Sequence, residues 1–242
     1  MSPSDPEVAS EDLPSRPDMV STTLSRLAMT MVPAQQILVF AFAFIQSERP
    51  LSDADSLYAL GRLGRLWQAG AVITGLGTII LALGLHRSLA RGKRVRLAIS
   101  AMIVGGLAVI GTGVFPTDAP LDDGTVGYTP TGILHFVFGL LGLLTLLVVV
   151  FVLKGIFRRD PRWAQAASPT RWLAWWLAAG VALLVFLPEG STTSGVTQRL
   201  VFLPEVIWAL WVARLVGRIG ECVESLETKP GIHAPGDHVE MW

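Results

Sequence analysis

This sequence is short of charge, of cysteine and of histidine, and each shortage narrows what the chain can be. Only 16% of its 242 residues are charged against 51% hydrophobic, and the mean hydropathy is +0.53. A soluble domain usually carries about 25% charged residues, so the water-facing skin that a globule of this size needs is missing. Basic and acidic residues number 19 each, for a formal net charge of zero. That balance argues against nucleic acid as a partner, which would ask for a basic face. The single cysteine, Cys222, rules out an internal disulfide and says nothing of redox compartment. The four histidines, at 86, 135, 233 and 238, include no pair with the spacing of a helical metal site. There is no glycine-rich phosphate loop, no GxSxG and no HExxH. No metal and no cofactor is therefore expected.

What the chain has instead is long apolar runs. A membrane crossing takes about 20 such residues at roughly 1.5 Å each. Six segments qualify or come near: 27–47, 66–85, 97–115, 132–153, 172–187 and 200–216. The second, third and fourth are free of charge throughout. The first holds Gln35 and Gln36 just after Pro33, and the sixth is interrupted by Pro204 and Glu205. The expected fold is an all-α, polytopic membrane protein: a bundle of six transmembrane helices spanning residues 23–218. Residues 1–22 are rich in proline and acid and lack the basic start and apolar core of a secretory signal, so they read as a disordered cytoplasmic tail. Residues 219–242 read as a C-terminal cytoplasmic tail.

Lysine and arginine in short loops set orientation. The stretches HRSLARGKRVR (86–96) and KGIFRRDPRW (154–163) are basic, and Arg214 and Arg218 close the sixth segment. The loops after the third and fifth segments carry Asp118, Asp122, Asp123 and Glu189 and little base. Both termini are accordingly expected in the cytoplasm. The loop after the first segment is mixed, with Arg49, Arg62 and Arg65 against Glu48, Asp53 and Asp55. Trp67, Trp163, Trp172, Trp175 and Trp176 fall where lipid headgroups are expected. Small residues in TGLGT (74–78), GG (105–106) and GTG (111–113) predict close packing of the second and third segments.

The stretch from Val114 to His135, VFPTDAPLDDGTVGYTPTGILH, is the first place to look for chemistry. Asp118 closes the third segment and His135 lies about one turn inside the fourth. A carboxylate beside an imidazole would set its tautomer and raise its basicity, as a general base requires. The bland alternative is a hydrogen-bonded clasp between two helix ends. Arg199 near a helix start opposes the macrodipole and calls for a partner, with Asp118, Glu189 or a lipid phosphate as candidates. Gln198 stands beside it. Glu205 lies deeper, where an acid pairs within the bundle or is protonated.

Taken in order, SLYALGRLGRLWQAG, TGLGTIILALGL, GTGVFPTD, GILHFVFG and GVTQRLVFLPEVIWALWVARL resemble the bacterial and archaeal membrane proteins grouped as domain of unknown function 998. The resemblance covers roughly residues 27–217. It rests most on Phe115, Pro116, Asp118, Gly132, His135, Gln198 and Arg199. It implies a compact helical membrane domain with an FP-x-D motif after the third span and a histidine opening the fourth. It implies no particular activity.

The expectation is a multi-pass protein of the plasma or inner membrane that interacts with lipid or serves as an accessory subunit. Its partners would be membrane lipids, with another membrane protein or a second copy as further candidates. One alternative is a membrane-embedded hydrolase or lipid-modifying enzyme in which Asp118 and His135 do the chemistry and Arg199 holds a phosphate or oxyanion. The other is a small proton-coupled transporter using Glu205.

Overall fold

The computed structural model describes residues 19–45, 54–119, 127–186 and 194–227. They form seven α-helices: α1 (Met19–Met31), α2 (Ala34–Ile45), α3 (Gly64–Ser88), α4 (Lys93–Val114), α5 (Pro130–Phe157), α6 (Ala164–Phe186) and α7 (Ser194–Glu227). A short 3₁₀ helix, Asp55–Leu60, precedes α3, and a 3₁₀ turn, Pro161–Trp163, precedes α6. Among the described residues there is no strand.

Among the described residues, five stretches are long and apolar enough to cross a membrane: Met19–Ile45, Gly64–Ser88, Lys93–Val114, Pro130–Phe157 and Gly195–Gly220. α6, which carries the fifth expected segment, is not counted among them; its polar residues Gln165, Ser168, Pro169, Thr170 and Arg171 precede that segment, whose last residue, Leu187, lies outside the described residues. The remaining helices lie close to their expected positions, each extended by a few residues into polar flanks.

The first span differs most from expectation. It starts at Met19, eight residues before Leu27, because two inward-facing serines hide an otherwise helical stretch. Ser25 is buried, and its hydroxyl donates to the Ala213 carbonyl on α7 at 2.6 Å. The span is interrupted at Pro33, which has no N–H to give. The backbone ladder resumes on both sides, with Val32 donating to Ala28 and Ile37 to Pro33 at 2.9 Å each. Thr74 of α3 covers the break: its hydroxyl accepts from the Gln35 N–H at 3.0 Å and lies 3.2 Å from the Val32 carbonyl.

The helices close a ring, α1–α3–α4–α5–α6–α7 and back to α1, with α2 against α3. The tightest approach is between α3 and α4. A Cβ added at Gly75 would lie 2.4 Å from the Gly106 carbonyl oxygen, and one at Gly106 would lie 2.7 Å from that of Gly75. Only glycine lets these two backbones meet, as small residues do where lipid-buried helices pack.

The main core gathers Leu81, Leu85, Met102, Val150, Leu153, Leu177 and Val212. Phe157 and Trp163 stack within it at 4.9 Å between ring centroids. Trp163 and Trp67 are fully buried and face the interior, whereas Trp172, Trp175 and Trp176 are exposed. An indole near a helix end can turn inward when neighbouring helices leave room, and periodicity does not reveal which way it turns. The outer faces are apolar too. Ile133, Phe136, Val137, Leu140 and Leu144 of α5 stand exposed, as do Ile73, Leu76 and Leu83 of α3.

Candidate functional site

Most of the polar residues singled out in the sequence gather at the end of the bundle where α3, α5 and α7 begin and α4 stops. They form two groups. The first joins the 3₁₀ helix to α7. Three residues make one turn of such a helix, so Asp55 and Tyr58 share a face, and both are buried. The first turns of α7 meet that face. The Arg199 guanidinium lies 3.1 Å from the Asp55 carboxylate and 3.4 Å from the Tyr58 hydroxyl, to which it donates. Gln198 accepts the Asp55 backbone N–H through Oε1 at 2.9 Å. Asp55 is 3% exposed and Arg199 7%. Phe42 of α2 and Trp67 of α3 close the group with apolar surface.

Burial pushes the Asp55 carboxyl up to about 6, with Arg199 and then the Gln36 side chain pulling it back toward its ordinary value. The ion pair is close but not well aligned, since neither Asp55 oxygen has a properly directed hydrogen bond among the described residues. That explains why the nearby cation does not fully offset the loss of water. Gln36 Oε1 and Trp67 Nε1 are likewise buried without a hydrogen-bond partner among the described residues.

The second group joins α4 to α5. The last carbonyls of a helix lack partners within it, and here His135 supplies one from outside. Its Nδ1 lies 2.8 Å from the Phe115 carbonyl and 3.2 Å from that of Thr112. A carbonyl only accepts, so Nδ1 carries the proton and Nε2 is left as the acceptor. In return Asp118, four residues past the end of α4, holds the start of α5. Its carboxylate accepts from the Thr129 N–H at 2.8 Å and from the Thr129 hydroxyl. Thr129 is the N-cap, its own hydroxyl accepting from Gly132 N–H at 3.2 Å, and Pro130 follows at the first helical position. These bonds to Thr129 hold the Asp118 carboxyl below its usual range. A Cβ at Gly132 would fall on the Asp118 carboxylate, so the glycine is needed for the clasp to close.

Asp118 and His135 thus serve the same helix pair without bonding each other. Arg199 does not join them: its described contacts are with Asp55 and Tyr58 of the other group. Asp118 is not its partner, and Glu189, the other acidic candidate, lies outside the described residues along with Asp122 and Asp123. Trp67 stands between the groups, its ring 6.3 Å from that of His135. Glu205 is half-buried on α7, with no hydrogen-bond or ion-pair partner among the described residues. Among those residues no three of His, Cys, Asp and Glu come close enough to hold a metal ion.

Sequence reasoning missed the roles of Asp55 and Gln36. Asp55 was one charge in a mixed loop, yet a signal existed. An arginine placed against the macrodipole needs a carboxylate, and Asp55 with Tyr58 three residues on is an acid–aromatic pair at 3₁₀ spacing.

The model of a family described as "protein of unknown function (DUF998)" matches residues 16–215, and the chain belongs to that family. With its apolar helices, this makes it a multi-pass membrane protein. No curated protein and no solved structure matches the chain.

Proposed function

We propose that this is a six-span lipid-interacting membrane protein, accessory rather than catalytic, with both termini in the cytoplasm and the Asp55 and Asp118 groups at the outward end. The observation that carries the reading is how the polar groups at that end are used. Asp118, His135, Gln198 and Arg199 each bind a helix end or the 3₁₀ helix. They knit the mouth of the bundle together, which is what a rigid lipid-facing module needs. α6 supports the sixth crossing, because it packs along α5 and α7 on either side. The basic residues between α3 and α4 and after α5 support the orientation.

The enzyme reading requires Asp118, His135 and Arg199 around one substrate. The Nε2 of His135, which has no hydrogen-bond partner among the described residues, favours it, whereas the engagement of Arg199 by Asp55 weighs against it. The transporter reading has Glu205 alone in its favour.

Single cysteines at Gly127 and Gly92, on a Cys222→Ser background, test the topology. Intact cells treated with a membrane-impermeant maleimide should label Gly127→Cys and spare Gly92→Cys. The reverse pattern, or labelling of neither in membranes and both in aqueous extract, overturns the proposal.

A further inference from the structure

Arg62 and Arg65 stand apart from most of the basic residues in the described structure. Arg87, Arg91, Lys93, Arg94 and Arg96 cluster where α3 gives way to α4, and Lys154, Arg158 and Arg159 where α5 ends. Charge bias across the membrane accounts for those. It does not account for Arg62 and Arg65, which sit at the opposite end of α3, where the reading above places the outward face. The other arginine there, Arg199, is buried against Asp55. Arg62 and Arg65 are both exposed and have no carboxylate partner among the described residues.

They also line a concave surface. A cleft of about 460 Å³ lies between the turn 59–64, Arg65, Leu66, Gln68 and Pro116. α3 begins at its floor and runs for 25 residues, so the positive end of that helix faces the same space. One wall is apolar: Leu66 is 52% exposed, and Ile73, two turns on, continues the same face of α3 toward the middle of the bundle. The space therefore offers two guanidinium forks and an amide at its polar end, and an apolar track leading away from it. Guanidinium groups bind phosphate oxygens in pairs.

We propose that the Arg62–Arg65 cleft binds a phosphate-bearing anion, presented by the headgroup of an anionic lipid whose chains lie along α3 past Leu66 and Ile73. This rests on the lipid-interacting reading and names its headgroup chemistry. Gln68 donates to a phosphate ester or glycerol oxygen, and Pro116 ties the cleft to the segment that leads into Asp118.

The test uses the full chain in nanodiscs of phosphatidylcholine with a minority of phosphatidylglycerol, read by native mass spectrometry. Wild type should retain phosphatidylglycerol, and the Arg62→Gln/Arg65→Gln variant should lose about tenfold in affinity for it, equivalent to about 1.4 kcal/mol. Arg94→Gln/Arg96→Gln, at the other end, should retain it as wild type does. A second arm titrates inorganic phosphate into detergent-solubilised protein by calorimetry. Phosphate binding that depends on Arg62 and Arg65, without lipid retention, would keep the phosphate site and overturn the lipid as its source. Equal retention in all three proteins with no phosphate binding, or equal loss in both variant pairs, overturns the site itself. Both arginines are exposed, and matched melting midpoints check that the variants fold. An Arg62→Lys/Arg65→Lys variant, which keeps charge but not the fork, should fall between wild type and the glutamine pair. Failure of wild type to enter nanodiscs at all would count against the membrane reading rather than the cleft.

Discussion

The indole of Trp176 donates to the carbonyl of Leu200 at 2.7 Å, across from α6 to α7. That carbonyl is the one Pro204 leaves without a donor, because proline four residues on has no N–H. Trp208 makes a related bond back to α6, its Nε1 lying 2.8 Å from the Thr170 hydroxyl, which in turn bonds the Ala166 carbonyl. The prolines in the two helices thus sit beside tryptophans that stitch the pair together. Trp176→Phe should cost roughly 1–3 kcal/mol by leaving a lipid-shielded carbonyl unpaired. Adding Pro204→Ala restores the missing N–H, so the same tryptophan change should then cost much less. Thermal unfolding in detergent reads both, and an identical cost in the two backgrounds would show that the indole does not serve this carbonyl.

The Asp55–Arg199 pair should behave as a buried pair does. Removing the cation leaves the carboxylate stranded, at a cost of roughly 3–5 kcal/mol, whereas removing both costs less. Arg199→Gln should destabilise strongly, Asp55→Asn, which mimics the protonated acid that burial favours, should cost much less, and the double variant should be no worse than Arg199→Gln alone. Additive losses in a denaturation cycle would show that the two groups do not interact.

Asp55 also predicts a pH dependence. Its folded pKa, about 6, lies above the ordinary 3.8 because burial disfavours the charge. The folded state then binds the proton more tightly than the unfolded state, so stability is greatest below about pH 4 from this group and falls as pH rises toward 6. The ceiling is about 3 kcal/mol. Asp118, held low by Thr129, acts the other way and only below its ordinary pKa, where acid removes its contribution. The two windows do not overlap. Melting midpoints between pH 4 and 7 should decline in wild type, and the decline should be absent in Asp55→Asn.

The α3–α4 contact predicts a contrast between glycines. Gly75→Ala or Gly106→Ala drives a methyl into a backbone carbonyl that cannot move aside, and should cost roughly 1–3 kcal/mol. Gly155→Ala on α5, where a Cβ meets nothing within 4 Å, should be neutral or stabilising. Equal effects at the three positions would mean that helix propensity, not close approach, sets the response.

Local composition alone determined the class of this protein and much of its outline. A charge-free run of about 20 residues can only be buried or dissolved in lipid, so α3, α4 and α5 were legible to within a few residues, and Gly75 and Gly106 marked where two of them touch. The ends of α4 and α5 were legible as well, since Asp118, Pro130 and Gly132 are local capping chemistry. Tertiary structure decided what composition could not carry. Ser21 and Ser25 disguised the start of α1 because both are buried against the bundle, and the Ser25 hydroxyl is answered by another helix, not by its own sequence neighbourhood. Trp67 and Trp163 turned inward while Trp172, Trp175 and Trp176 stayed out. Gln198 and Asp55, 143 residues apart, met only because the ring of helices brings the start of α7 beside the 3₁₀ helix. A buried charge must find its opposite, but which one it finds depends on the order in which helices pack. That order follows from the whole set of helix contacts rather than from any one segment.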